Sequence, residues 1–278
     1  MLAAQRNRFL EDYLRIRQAE GRGSEDPAYY FALPHEPVRR RTYRYFEQRV
    51  LPVLECARPL DLLDLGAGTG WMSYRLALRG HRPVAVDILT DRRDGLGAAR
   101  HFFEKRSFAR VDAEFDQLPV ADRRFDAVIY NASLHYSSDY RRTLAEARRC
   151  LRPGGRIIIL DSPVYQLREH GERMRTERHQ QFLAAHGTTS DHISSIEYLD
   201  LATIAALAHD IGIEWTIHRP WYGLGWHLRP WKARLKRARP PSRFWILEGR
   251  LTTNPRTTER RGGVSDSREG AAAPCAPE

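Results

Sequence analysis

The sequence predicts an α/β protein built on a mostly parallel sheet with helices on both faces. Three observations predict it. From residue 60 onward, short apolar runs alternate with helical patterns, and repeated β-α-β units of this kind make parallel sheets. The runs are nearly continuous in apolar residues, so the strands are covered on both sides. A glycine-rich turn, Gly66-Ala67-Gly68-Thr69-Gly70, follows the first of them, where open α/β sheets place their ligands.

The chain has 278 residues, 42% of them hydrophobic and 10% aromatic, enough for a sizeable core. Residues 1–24 form a charged amphipathic helix, with Phe9, Leu10, Tyr13, Leu14 and Arg17 at helical spacing, ending at Gly21 and Gly23. Residues 25–37 are a Pro- and aromatic-rich loop, and 38–57 a second helix. Strands are expected at 60–65, 82–86, 109–112, 127–131 and 156–161. Helices are expected at 71–79, 98–106 and 140–151, the last stopped by Pro153-Gly154-Gly155. Beyond Asp161 lies a polar, His- and Arg-rich stretch to residue 195, helical in part. A helix over 197–210 and two further strands, 213–217 and 244–247, follow. Three domain segments result: an N-terminal helical cap (1–57), a ligand-binding domain (58–251) with insertions at 162–200 and 219–242 on the acceptor side, and a tail (252–278) so poor in apolar residues that disorder is expected.

No apolar run approaches the length of a bilayer-spanning helix. Charges interrupt the first twenty residues, so no signal-peptide core is visible, and a cytoplasmic location is expected. Cys56, Cys150 and Cys275 have no paired spacing, which argues against a disulfide framework or a thiolate metal site. His170, His179, His186 and His192 lack a helical His-x-x-x-His pair beside an acid, so no metal site is expected. The net charge is +10, carried almost wholly by arginine, since Lys105, Lys232 and Lys236 are the only lysines. That charge suits either a solvated surface or a polyanion.

The glycine turn carries the chemistry. Asp64 stands two residues before Gly66, and Asp87 ends the next strand, 21 residues after Gly66. A carboxylate there can accept both ribose hydroxyls of a nucleoside. The spacing is Gly-x-Gly-x-Gly with Trp at 71, not the Gly-x-Gly-x-x-Gly of dinucleotide sites. An acid beside the turn suits a cationic ligand such as S-adenosylmethionine (SAM) and repels a pyrophosphate.

LDLLDLGAGTG (60–70), VAVDI (84–88), VDAEFDQLPVADRRFDAVIYNASLHY (111–136) and LRPGGRIIILDSP (151–163) together resemble the class I SAM-dependent methyltransferases. The resemblance covers about residues 58–163, in order. It implies a seven-stranded, doubly wound sheet of order 3-2-1-4-5-7-6 with an antiparallel last strand near 243–250. It implies that Asp64 and Gly66, Ala67, Gly68, Thr69 and Gly70 hold the methionine end of SAM, whose product is S-adenosylhomocysteine. Asp87 binds the ribose, Ile88 packs on the adenine, Asp112 with Ala113 meets the adenine amino group, and Asn131, Ala132 and Ser133 lie beside the sulfonium.

His135 and Tyr136 follow strand four and are candidates for catalysis, His135 as a base; Asp191-His192 is a second candidate. Methyl transfer needs no strong base when positioning suffices, and local packing of His135 is the alternative. Tyr29, Tyr30 and His35 either lid the SAM site or pack between helices. The stretch 219–243 interleaves Trp221, Tyr222, Trp226 and Trp231 with Arg219, Arg229, Lys232, Arg234, Lys236, Arg237 and Arg239. It fits an anionic substrate, RNA or a membrane surface, or else its tryptophans pack on the core. The expected activity is in-line methylation of a small molecule, which is anionic if the basic stretch contacts it. The alternatives are an RNA methyltransferase and a SAM-binding regulatory module without turnover.

Overall fold

A computed structural model describes residues 3–55, 58–188, 193–252 and the backbone of 265–266. The central sheet runs β1 (Asp61–Leu65), β2 (Arg82–Asp87), β3 (Ala109–Asp112), β4 (Phe125–Asn131), β5 (Leu151–Leu160), β6 (Ile213–His218) and β7 (Ile246–Leu251). Its spatial order is β3-β2-β1-β4-β5-β7-β6, and the two-residue segment Ser265–Asp266 pairs with the outer edge of β6. β1 to β5 are parallel, whereas β7 is antiparallel to both β5 and β6. This is the doubly wound order expected from the sequence. The order reverses between β1 and β4, which opens a crevice at their C-terminal ends.

The helices are α1 (Ala3–Ala19), α2 (Ala28–Phe31), α3 (Pro37–Tyr45), α4 (Leu51–Leu54), α5 (Trp71–Leu78), α6 (Tyr140–Cys150), α7 (Arg168–His186), α8 (Leu201–Ile211), α9 (Leu224–His227) and α10 (Arg229–Leu235). A wide π-helical turn, Phe46–Val50, joins α3 to α4, so the helix expected over 38–57 is a bulged rod that stops at Leu54, where Glu55 turns extended. Two apolar clusters fill the faces of the sheet. One packs β1, β4 and β5 against α6, α8 and β6 through Leu63, Val128, Leu144, Ile157 and Leu207. The other packs them against α3 to α5 through Phe46, Leu51, Leu62, Leu76 and Ile158.

Besides a short helix, α2, inside the loop expected over 25–37 and a helix that starts at Leu201 rather than 197, two elements differ from the sequence reading. Strand five begins at Leu151 rather than 156, because Gly154 takes a left-handed φ of 75° and the chain stays paired through the irregularity opposite Phe125 and Ala127. The helix expected over 98–106 is a 3-10 turn over Leu96–Phe102. Gly95 and Gly97 press against the backbone of Leu89 to Arg92 there, so closely that a Cβ on Gly95 would fall 2.4 Å from the Leu89 carbonyl. The tail expected to be disordered lies outside the described residues, apart from 252 and 265–266. No helix among the described residues is long and apolar enough to cross a membrane.

Candidate functional site

The strand-to-helix turn after β1 is forced by its glycines. Gly66, Gly68 and Gly70 all adopt left-handed φ of 55–78°, a region that costs other residues steric strain. Gly66 must also be small: a Cβ there would sit 2.3 Å from that of Ser133. Above Gly68 there is open space instead, so a ligand can approach that backbone.

Two adjoining cavities flank the turn. They share Tyr13, Arg17, Gly66, Gly68, Thr69, Asp94, Ala132 and Tyr136 as a common wall. The first, about 250 Å³, extends toward Asp87, Ile88, Glu114, Phe115 and Asp116, with Phe9 and Leu10 of α1 over it. The second, about 230 Å³, extends toward Asn131, Asp161, Arg39, Tyr43 and the aromatic pair Tyr29 and Tyr30.

Asp87 joins turn to strand. One oxygen accepts the Gly68 N–H (2.7 Å) and the other the Leu89 N–H (2.8 Å). Burial raises its pKa and these backbone donors oppose the rise. Each oxygen retains a lone pair for a diol. Asp64 lines neither cavity. It is fully buried, accepts the backbone N–H and hydroxyl of Ser73 at the start of α5 (3.1 and 2.7 Å), and keeps its Oδ1 unpartnered among the described residues. Desolvation pushes its pKa up to about 7.

The other expected residues divide between wall and support. Gly66, Gly68, Thr69, Ala132 and Tyr136 face both cavities, Asp87 and Ile88 the first, Ala67 and Asn131 the second. Gly70 caps α5 behind the wall, under Phe108. Asp112 and Ala113 stand outside both cavities. Asp112 is paired with Arg6 and Ala113 packs on the core; Glu114, Phe115 and Asp116, two to four residues on, form the wall there. Asp116 Oδ1 is buried with no partner among the described residues.

His135 also lines neither cavity. Its Nδ1 lies 3.3 Å from the Ser162 hydroxyl, and its carbonyl accepts the Glu197 N–H. Burial, with the charges of Arg178 and Arg39, lowers its pKa to about 3. The ring is therefore neutral and weakly basic at pH 7. Asp191 and His192 lie outside the described residues. Tyr29, Tyr30 and His35 do line the second cavity, and Tyr30 also stacks on His101.

Several site residues carry no sequence motif. Arg17 of α1 grips Asp94 with two hydrogen bonds (2.5 and 2.9 Å), and both line the shared wall. Tyr13, one turn earlier, meets the edge of Tyr136 across the same wall. Asp161, just past β5, is buried in the second cavity at a left-handed φ of 51°. Its Oδ1 has no partner among the described residues. Burial raises its pKa, and the Thr42 hydroxyl and Arg39 charge oppose that. Ala132, past β4, has φ 57°. Strained backbone at two adjacent strand ends is a mark of function.

The insertion after β5 closes one side. Ile193, Ser194 and Ser195 line the first cavity. Buried Glu197 holds Arg178 and His179 of α7. Residues 219–242 line neither cavity. Among the described residues no group of three His, Cys, Asp or Glu is arranged to hold a metal.

Comparison with known proteins bears on the family and the fold. A family described as a methyltransferase domain matches residues 63–159. The malonyl-[acyl-carrier protein] O-methyltransferase of Hahella chejuensis is 34% identical over 134 residues, 46% of this chain and 47% of its own length. The demethylmenaquinone methyltransferase of Mycobacterium marinum is 33% identical over 118 residues, 42% of this chain and 48% of its own. The chain thus spans about half the length of the curated relatives it matches. The crystal structure of Burkholderia thailandensis 1,6-didemethyltoxoflavin-N1-methyltransferase, with bound 1,6-didemethyltoxoflavin and S-adenosylhomocysteine, superposes with a TM-score of 0.53. It covers 90% of this chain and 88% of its own, at 18% identity, and shows the shared fold.

Proposed function

Since the chain carries a class I SAM-dependent methyltransferase domain, we propose that the whole protein methylates a small-molecule acceptor held in the second cavity, with SAM in the first. The carrying observation is that the two cavities meet across Gly66, Gly68, Ala132 and Tyr136. A donor and an acceptor placed in them are brought into line, and positioning of this kind supplies much of the rate of a displacement.

The residues fit the cofactor. The open backbone at Gly68 and the Asp87 carboxylate suit a ribose, and Ile88 and Phe115 offer apolar surface for a base. The Tyr13 and Tyr136 rings, both on the shared wall, offer aromatic surface beside which a cationic sulfonium can sit. Bound there, SAM supplies an activated methyl group. The Arg17–Asp94 pair fixes α1 over the crevice, and Tyr29 and Tyr30 exclude water from the acceptor side. Asp161 receives the proton that an oxygen or nitrogen acceptor sheds, a role the weakly basic His135 suits poorly. His135 instead braces the turn that presents Tyr136. Relatives named for malonyl-[acyl-carrier protein] and demethylmenaquinone, and a fold neighbour holding 1,6-didemethyltoxoflavin, support a small acceptor group.

Calorimetry with S-adenosylhomocysteine tests this reading. The wild-type protein should bind it, and Asp87→Ala should bind about 10- to 100-fold more weakly, the worth of hydrogen bonds to a charged group. Wild-type protein that ignores SAM and S-adenosylhomocysteine but takes up a nicotinamide or flavin dinucleotide overturns it.

A further inference from the structure

The stretch 219–243 plays no part in either cavity, yet it is built with two opposed faces. Helices α9 and α10 run together through Leu228, whose N–H bonds to the Leu224 carbonyl and whose carbonyl accepts the Lys232 N–H. At 100° per residue, Leu224, Leu228, Trp231 and Leu235 fall within roughly 60° of arc. They are 71, 49, 65 and 68% exposed, and Trp221, just before the helix, is exposed beside His227. The opposite face is anchored. Trp226 packs on Tyr222 and Phe244, the Arg229 guanidinium lies over the Trp226 ring at 3.4 Å, and Arg229 donates to the Ser242 carbonyl. The helix is therefore held firmly while it presents four large apolar side chains to solvent.

Charge decides what covers that stripe. Lys232 and Arg234 fall roughly 80° to either side of it on the helix, and Lys236 and Arg237 follow at its end. We propose that α9–α10 is an interfacial anchor that seats this protein on an anionic lipid surface, Trp221, Trp231 and the three leucines entering the headgroup boundary. An apolar stripe flanked by cations, with tryptophan at its edges, is the arrangement that such a surface binds. The chain's own segment 253–278 is a poor alternative cover, since Val264 is its only large apolar residue. The anchor's root reaches the second cavity's side of the crevice: the Tyr222 hydroxyl lies 2.9 Å from that of Thr42, beside Asp161.

Flotation of the full-length protein with vesicles tests the proposal. Phosphatidylcholine vesicles containing phosphatidylglycerol should carry the protein upward at physiological salt, and pure phosphatidylcholine vesicles should carry much less. The double variant Trp231→Ser with Leu235→Ser keeps every charge and touches only exposed side chains. It should bind the anionic vesicles about tenfold or more weakly, with S-adenosylhomocysteine affinity unchanged. Lys232→Glu with Arg234→Glu should also lose binding. If the serine variant floats like wild type, diffuse positive charge explains the attraction and the anchor is refuted. Wild-type protein that ignores anionic vesicles but binds RNA, or whose dimer the serine variant dissolves, likewise refutes it and assigns the stripe to that other partner.

Discussion

At the first cavity both oxygens of Asp87 are committed to backbone N–H groups of the neighbouring turn and strand end, whereas at the second Asp161 keeps one oxygen without a partner among the described residues. On the proposed cofactor side the glycine turn and the end of β2 are thus tied together through main-chain donors. The proposed acceptor side is lined by side chains from the segment 29–43 and the end of β5, drawn together by the fold, with α1 shared between the two cavities. Backbone geometry can serve one invariant ligand, and side chains can be exchanged to suit a changing acceptor. The two sides should therefore fail in different ways when altered.

The largest effect is expected from Asp161→Asn. The amide keeps the size of the carboxyl but loses its basicity, so turnover should fall about 10²-fold or more, in the range of general-base loss, while S-adenosylhomocysteine affinity stays at the wild-type level. This requires an identified acceptor and steady-state kinetics beside calorimetry. An equal loss of cofactor affinity would erase the division between the two sides.

Gly66→Ala should act in the opposite sense, through the backbone. The added Cβ would overlap Ser133 at 2.3 Å and force a left-handed residue, costing about 2–4 kcal/mol of stability. Gly80→Ala is the control. Its φ of 87° is as unfavourable, but nothing lies within 4 Å of the added carbon, so about 1–2 kcal/mol is expected. Denaturant midpoints for the pair measure how much of the turn's requirement is space rather than torsion; equal losses would make it torsion alone.

The same division explains what was legible in the sequence. β1 to β5, the glycine turn and Asp87 could be read because their constraints are local: apolar runs, a left-handed turn, an acid at a strand end. The seven-strand order came from the ordered blocks over 58–163, which resemble a known family. Asp94, Asp161 and Arg17 could not be assigned, because each acts on a partner far along the chain and no spacing announces it. The wall near Ile88 is displaced from Asp112 and Ala113 to residues 114–116, since β3 ends at Asp112 and the chain then turns across the crevice. The two faces of residues 224–235 emerge only with the helix start at Leu224, which no residue type marks and which aligns four apolar residues.

The smallest effect belongs to Asp64, the acid that supports the turn without touching either cavity. Its folded pKa of about 7 lies above the ordinary carboxyl value of 3.8, so between those limits the folded protein binds more protons than the unfolded chain. This group's contribution to stability therefore declines as pH rises from about 4 to 7, and the cost of its buried charge is fully present above 7. Asp64→Asn removes that titration while keeping an acceptor for Ser73. Every other titrating group is common to both proteins, so the difference in unfolding free energy isolates Asp64. It should move in favour of the asparagine variant by about 1–2 kcal/mol between pH 5 and pH 8, measured by urea unfolding without cofactor. A difference independent of pH would show that the carboxylate is already charged in the folded state at pH 5, and that the turn solvates it better than its burial implies.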